Sequence, residues 1–243
     1  ITYLLDYVRQ YLDSEVSEKD VQAGFAGLRP LLQAAPDADT KALVRDHEVE
    51  VDAASGLVSI MGGKWTTYRL MAQDTVDECL RQLGETQRPA QTENQILAGA
   101  EGYSPDGWNG LTSNFSLPAD VARHLWKKYG TEALDVAKLT QAQPELAERL
   151  AAGHPFITAE VVFALRHEMA LTLPDVLARR LGLEWLDWQA AESALPLVAV
   201  LMAKGLNWSE TEARQAEDEY LARLEALQTS ARLVPLAQQK STA

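Results

Sequence analysis

The chain has 243 residues and a formal net charge of −13, long enough for one large domain or two small ones and too acidic for nucleic acid as a general partner, because neutralising phosphates needs a basic face. Hydrophobic residues make up 47% and charged residues 23%, an ordinary globular balance, and no run approaches the roughly 18 apolar residues of a membrane span. The first residues, ITYLLDYVRQYLDSE, lack the basic leader, apolar run and cleavage site of a signal peptide; their abrupt start without Met suggests a piece of a longer polypeptide.

Tyr3, Leu4, Tyr7, Val8 and Leu12 recur at helical spacing and predict an opening helix. Gly24, Gly27 and Pro30 punctuate the stretch AGFAGLRPLL as a strand-to-loop transition, and residues 34–41 read as a polar loop. Val44, Val49 and Val51 alternate with polar residues, and Leu57–Met61 read as a second strand across an Ala54-Ser55-Gly56 turn, so a hairpin is expected that ends at Gly62-Gly63. Trp65, Tyr68, Ala72, Val76, Cys79 and Leu83 then share one face of a long helix that Gly84 stops. Cys79, the single cysteine, excludes an internal disulfide and reads as a packed thiol on that stripe.

Residues 88–115, rich in Gly, Asn, Ser, Pro and Thr, read as a linker to an all-helical domain over residues 116–234, followed by a frayed tail at 235–243. Val121, Leu125, Trp126 and Tyr129 share a face closed by Gly130. Thr158 is expected to cap a helix carrying Val161, Val162, Leu165 and Met169. Thr172 with Asp175, and Ser209 with Glu212, have capping-box spacing; the latter opens a helix burying Ala213, Ala216, Tyr220, Leu224 and Leu227. Pro196 should kink or split the helix that contains it. The fold class is thus α+β, mainly α, with a small β-containing part over residues 1–87.

The segment Gly62-Gly63-Lys64-Trp65-Thr66-Thr67-Tyr68-Arg69 joins a strand end, a glycine turn and a helix start. Glycines permit close backbone approach, and free N–H groups with a lysine suit an anion or an electron-rich ring. It superficially resembles a phosphate loop but has Ser59 where that loop needs its first glycine; an ordinary helix start with a surface lysine fits the spacing as well. Arg29, between Gly27-Leu28 and Pro30, suits bidentate binding of phosphate or carboxylate, or a structural salt bridge. In Arg45-Asp46-His47, alternation puts Arg45 and His47 on one strand face and Asp46 on the other, so the three cannot serve one site. His124, His154 and His167 have no metal-ligand spacing, and no metal is assigned. Arg179-Arg180 read as helix C-terminal charges, and Trp126, Trp185, Trp188 and Trp208 as packing groups.

Several runs together resemble the FAD-dependent glycerol-3-phosphate dehydrogenases: FAGLRPL (Phe25–Leu31), RDHEVEVD (Arg45–Asp52), SIMGGKWTTYRLMAQDTVD (Ser59–Asp77), the His154–Asp187 run and LMAKGLNW (Leu201–Trp208). The resemblance extends from Ile1 to about Leu224. It implies that residues 1–87 are the last part of the FAD and substrate domain and that the helical region is a C-terminal cap. It implies that Arg29 and Lys64, and with them Arg45, line the substrate pocket, and that Gly62, Gly63, Thr66 and Thr67 abut the isoalloxazine of FAD. The implied reaction takes sn-glycerol 3-phosphate to dihydroxyacetone phosphate, with electrons passing through FAD to a quinone acceptor. No G-x-G-x-x-G opens a βαβ unit here, so FAD is expected in the full-length protein and not in this fragment, which alone is expected to be inactive; the general base is expected elsewhere, and no catalytic residue is assigned. A cytoplasmic location peripheral to the inner face of the membrane, and a homodimer, are family expectations. After Leu227 there is no D-x-D-x-D-G pattern, so calcium regulation is not expected. Two alternatives stand beside this reading: a related flavin-dependent oxidase that uses oxygen, and a helical docking or assembly module.

Overall fold

The computed structural model describes residues 1–13, 15–27, 46–85 and 88–232. The chain divides into two units, one of Ile1–Phe25 with Ala98–Ala243 and one of Ala26–Leu97. As the sequence predicts, the architecture is mainly helical with a small two-stranded sheet.

The opening helix, α1, spans Thr2–Tyr11 and groups with the helical unit. Its apolar stripe is turned outward: Tyr3, Leu4, Tyr7 and Leu12 are exposed, and Leu5 is the residue it buries. The segment after it is tied in by the Trp188 N–H, which donates to the Gln22 carbonyl at 3.1 Å, and by Phe25, whose ring meets Trp185 edge-on at 5.0 Å.

In the second unit, β1 (His47–Val51) pairs antiparallel with β2 (Val58–Gly62), in a register that sets His47 opposite Gly62 and Val51 opposite Val58. The Asp52 carboxylate shapes the connecting turn by accepting from the Ala54 and Ser55 N–H groups and the Ser55 hydroxyl. A three-residue 3₁₀ turn, Trp65–Thr67, leads into α2, Tyr68–Gln82, and Gly84 follows it at φ 68°. The apolar stripe read from the sequence is here a correction. Trp65, Tyr68, Val76 and Leu83 are exposed, while Met71, Asp74, Thr75 and Glu78 are partly buried. Cys79 is half-buried rather than packed in a core. The physical reason is that, among the described residues, the sheet of this unit has two strands, and its contact with the helix runs through Met71 and a polar bond at Asp74.

In the helical unit, α3 (Trp108–Phe115) forms within the stretch read as a linker and buries Leu111 completely. Leu111, with Trp108 and Phe115 packed against the same core, thus turns polar-looking sequence into part of it. The α4 helix, Ala119–Tyr129, buries Val121, Leu125, Trp126 and Tyr129 as its periodicity predicts, and the Trp126 indole N–H donates to the Ser104 carbonyl at 2.7 Å. It stops at Gly130, whose φ of 58° and ψ of −133° are open to glycine almost alone. There the backbone of Gly99 crosses, receiving the Thr131 N–H on its carbonyl at 2.9 Å, and a Cβ on either glycine would overlap the other strand of backbone. Gly130→Ala is therefore expected to cost at least about 1–3 kcal/mol, read as a lowered urea midpoint; a midpoint equal to the parent's would show that the crossing yields freely.

The α5 helix is Ala133–Ala142 and α6 is Thr158–His167. Thr158 is the first residue of α6 rather than its cap; the Ile157 N–H is satisfied by the Glu160 carboxylate at 2.9 Å. Met169 lies beyond the helix end at φ 54° and is exposed, so it is not part of the α6 stripe. Asp175 accepts from the Thr172 N–H and hydroxyl, both at 2.9 Å, and opens a π-helical turn over Asp175–Arg180. Arg180 donates twice to the Glu168 carbonyl, at 2.9 and 2.6 Å, so it closes the end of a preceding helix rather than its own. After α7 (Leu183–Leu186), α8 runs unbroken over Trp188–Leu206 with Pro196 inside it. Pro196 lies on the exposed side of α8, where a carbonyl left without its helical partner can be solvated, and packing of Ala191, Leu195, Val198 and Met202 on the opposite side keeps the helix whole.

The last helix, α9, is Glu210–Arg232. Its capping box is formed: the Ser209 N–H donates to Glu212 at 2.7 Å and the Glu212 N–H to the Ser209 hydroxyl at 3.3 Å. Tyr220 and Leu224 are buried, with Ala216 and Leu227 against the same core. Leu150, Phe156, Val161, Leu177 and Val198 belong to this core, and a second gathers Leu111, Leu125, Tyr129, Ile157 and Phe163. The expected tail, 235–243, lies outside the described residues, as do the loop at residues 34–41 and the leading part of the first predicted strand.

Candidate functional site

The described candidate residues meet where β2 hands over to α2. Gly62 and Gly63 both take positive φ, 70° and 84°. At Gly63 a Cβ would lie 2.6 Å from the Met71 sulfur and 3.3 Å from the His47 Cβ, so the turn is packed as well as bent. The Gly63 N–H donates to the Asp46 carbonyl at 3.2 Å and continues the ladder past the strand end. Lys64 follows in an extended conformation, its side chain 45% exposed and its amine 4.0 Å from an Asp46 carboxylate oxygen. That exposed pair is weak, which leaves the ammonium available to an anion.

Thr67 turns inward on the chain. Its N–H and its hydroxyl both donate to the Lys64 carbonyl at 3.0 Å, so the hydroxyl holds the turn that delivers Lys64. Thr66 is exposed. Trp65 is 87% exposed and stacks on Tyr68 with ring centroids 5.6 Å apart. Sequence reasoning placed Trp65 on a packed stripe and missed this open aromatic face, because helical periodicity was extended back through a residue that sits in a 3₁₀ turn. Arg29 and Arg45 lie outside the described residues. The structure thus brings together Gly62, Gly63, Lys64, Thr66 and Thr67, and adds Trp65.

A further pair escaped the sequence. His47 Nε2 lies 2.7 Å from an Asp74 carboxylate oxygen, joining β1 to α2. The signal was available in part: His47 shares the inward side of the strand with Val49 and Val51. Its partner, 27 residues on, was not visible locally. The other histidines with carboxylate partners serve helix packing, His124 with Glu160 at 2.9 Å and His154 with Asp187 at 3.2 Å. Among the described residues, no three His, Cys, Asp or Glu side chains gather closely enough to hold a metal ion, and no helix is long and apolar enough to cross a membrane.

A cation offered beside an open indole suits an anionic ligand lying near a flat ring. The family model for the C-terminal domain of alpha-glycerophosphate oxidase matches residues 90–213, half of the chain. The chain belongs to this family. Among curated relatives, it is 42% identical over 216 residues to the mitochondrial glycerol-3-phosphate dehydrogenase of Rattus norvegicus, covering 86% of this chain and 29% of that protein. It is 39% identical over 216 residues to the mitochondrial enzyme of Homo sapiens, again covering 86% of this chain and 29% of the relative. Among solved structures, the glycerol-3-phosphate dehydrogenase of Bacillus halodurans complexed with FAD superposes with a TM-score of 0.63 and 27% identity, covering 73% of this chain and 37% of that one. This family member therefore spans less than a third of the length of those mitochondrial relatives. The family assignment rests on the helical unit, while the candidate site lies before residue 90, within the longer span matched by the relatives.

Proposed function

We propose that this chain is the C-terminal portion of a flavoenzyme that oxidises sn-glycerol 3-phosphate to dihydroxyacetone phosphate and passes the electrons through FAD to quinone. The observation that carries the proposal is the 42% identity, over 216 residues, to a glycerol-3-phosphate dehydrogenase. The site geometry supports it. Lys64 offers its charge to the substrate directly after Gly62-Gly63, whose positive φ values turn the chain there while Met71 fills the space beside Gly63. In this reading Gly62, Gly63, Thr66 and Thr67 form one edge of the flavin site, and Arg29, Lys64 and Arg45 bind the substrate. Bound FAD supplies the two-electron acceptor for the hydride that leaves C2 of the substrate. Lys64 orients and neutralises the anion, and Thr67 keeps Lys64 in place through its carbonyl. The complete protein works at the inner face of the membrane, as a peripheral protein.

The test uses the gene product that contains this chain. Under anaerobic conditions, adding sn-glycerol 3-phosphate is expected to bleach the oxidised-flavin absorbance. Flavin that stays oxidised would reject the substrate and leave Lys64 with another anion; a protein without flavin would reject the reading. A second reading has its own support, since the matching family model describes a domain of an oxidase: electrons pass to oxygen. Hydrogen peroxide formed in step with turnover in air would decide for it, and quinone reduction without peroxide for the first.

A further inference from the structure

We propose that His47 and Asp74 are positioning residues that hold the Gly62-Gly63 turn and thereby set the place of the Lys64 ammonium; the inference rests on the role given to Lys64 above. Two consecutive glycines with positive φ are the most pliable joint between β2 and α2. The joint is clamped from both sides by neighbours distant in sequence. On the strand side, His47 pairs with Gly62 across the hairpin, and its Cβ closes on Gly63. On the helix side, Met71 fills the space a Gly63 side chain would take, and Asp74, one turn further along α2, receives the His47 ring at 2.7 Å. The His47 side chain is 14% exposed and the Asp74 side chain 41%, so water reaches the carboxylate end and the bond acts by placing the ring rather than by its strength. Directly before His47, Asp46 contributes its carbonyl to the Gly63 N–H and its carboxylate to the lysine. The pair Asp46-His47, at the entry to β1, therefore touches both the hinge and the cation that the hinge delivers. Lys64 has no other ion-pair partner among the described residues, so its position depends on the backbone that carries it.

The experiment is a kinetic cycle in the complete gene product. His47→Ala and Asp74→Ala are each expected to raise KM for sn-glycerol 3-phosphate about tenfold while kcat stays within about threefold, since displacement of a positioning group by an ångström has effects of this order or larger. His47→Gln, which keeps a donor for Asp74, is expected to restore KM to near the parent value. In a Lys64→Met background, His47→Ala is expected to add nothing further to KM. Backbone hydrogen exchange gives a readout that needs no turnover: His47→Ala should accelerate exchange at residues 62–67 and leave the hairpin turn at 52–57 unchanged. Additive losses from His47→Ala and Lys64→Met, or exchange at 62–67 equal to the parent's, would overturn the proposal. A parent protein that fails to oxidise glycerol 3-phosphate would instead remove the functional reading, and the exchange experiment would still decide whether the clamp exists.

Discussion

Glu160→Ala is expected to destabilise the helical unit by about 3–5 kcal/mol, the usual cost of removing one partner from a buried charged network. Glu160 has no solvent exposure and four partners: one carboxylate oxygen accepts from His124 at 2.9 Å, Lys128 at 3.0 Å and the Tyr129 hydroxyl at 3.2 Å, and the other accepts from the Ile157 N–H at 2.9 Å. Alanine would leave a half-buried ammonium, a half-buried imidazole, a buried phenol and the α6 entry without an acceptor. Against a total domain stability of about 5–15 kcal/mol, that loss is large. Urea unfolding followed by tryptophan fluorescence measures it, and a loss below about 1 kcal/mol would mean that the four groups find other partners. Glu160→Gln keeps the size and one acceptor oxygen and should lose less.

The same residue predicts an acid limit. Burial alone pushes the Glu160 carboxyl up, but the His124 hydrogen bond, the Lys128 and His124 charges and the Ile157 N–H together hold it below its ordinary value of 4.5. A carboxyl whose folded-state value is depressed contributes its full stabilisation above the unfolded-state value and loses it as pH falls through the folded one. Stability of the parent should thus fall more steeply below about pH 4.5 than that of Glu160→Gln; parallel curves would place the acid sensitivity elsewhere. Glu168 acts in the opposite sense. Burial, aided by the charges of Glu160 and Glu132 and opposed by Lys128 and Arg180, raises its carboxyl, and one of its oxygens is buried without a hydrogen-bond partner. Its neutral form favours the fold, and that contribution fades as pH rises through its folded-state value.

Lys64→Met is expected to lower kcat/KM for sn-glycerol 3-phosphate about 10²-fold in the complete gene product, the scale of losing one charged donor from an active site. The fold should barely notice. The lysine is half exposed and its carboxylate neighbour is 85% exposed at 4.0 Å, so the lost pair is worth a few tenths of a kcal/mol at most. A large kinetic loss with an unchanged unfolding midpoint would mark Lys64 as a ligand-binding residue. Unchanged kcat/KM would return it to the rank of a surface lysine at a helix start.

Local features of the fold were legible because their atoms lie within a few residues of one another. Val49 and Val51 set the strand by alternation, Gly62-Gly63 ended it, Gly130 stopped α4, and Ser209 with Glu212 opened α9 through hydrogen bonds spanning three residues. The glycine turn and Lys64 were legible for the same reason. Periodicity also announced α1 and α2 as helices. Which side of each would be buried was beyond it: Tyr3 and Leu4, like Trp65 and Val76, form apolar stripes that face outward, because a stripe states only what a helix could bury, and the neighbour that covers it is a tertiary matter. The linker reading over residues 88–115 failed at Trp108–Phe115 for a related reason, since composition cannot show that Leu111 finds a core.

Spacing and residue type by themselves determined a mainly helical chain with one hairpin, its main caps, and a lysine delivered by two glycines. Tertiary structure alone decided which polar groups are partners. Glu160 meets His124, Lys128 and Tyr129 across more than thirty residues, and His47 meets Asp74 across 27. Hydrogen bonds and buried charges depend on distances of about 3 Å, and only the packing of one element on another brings groups so remote in the chain to that range.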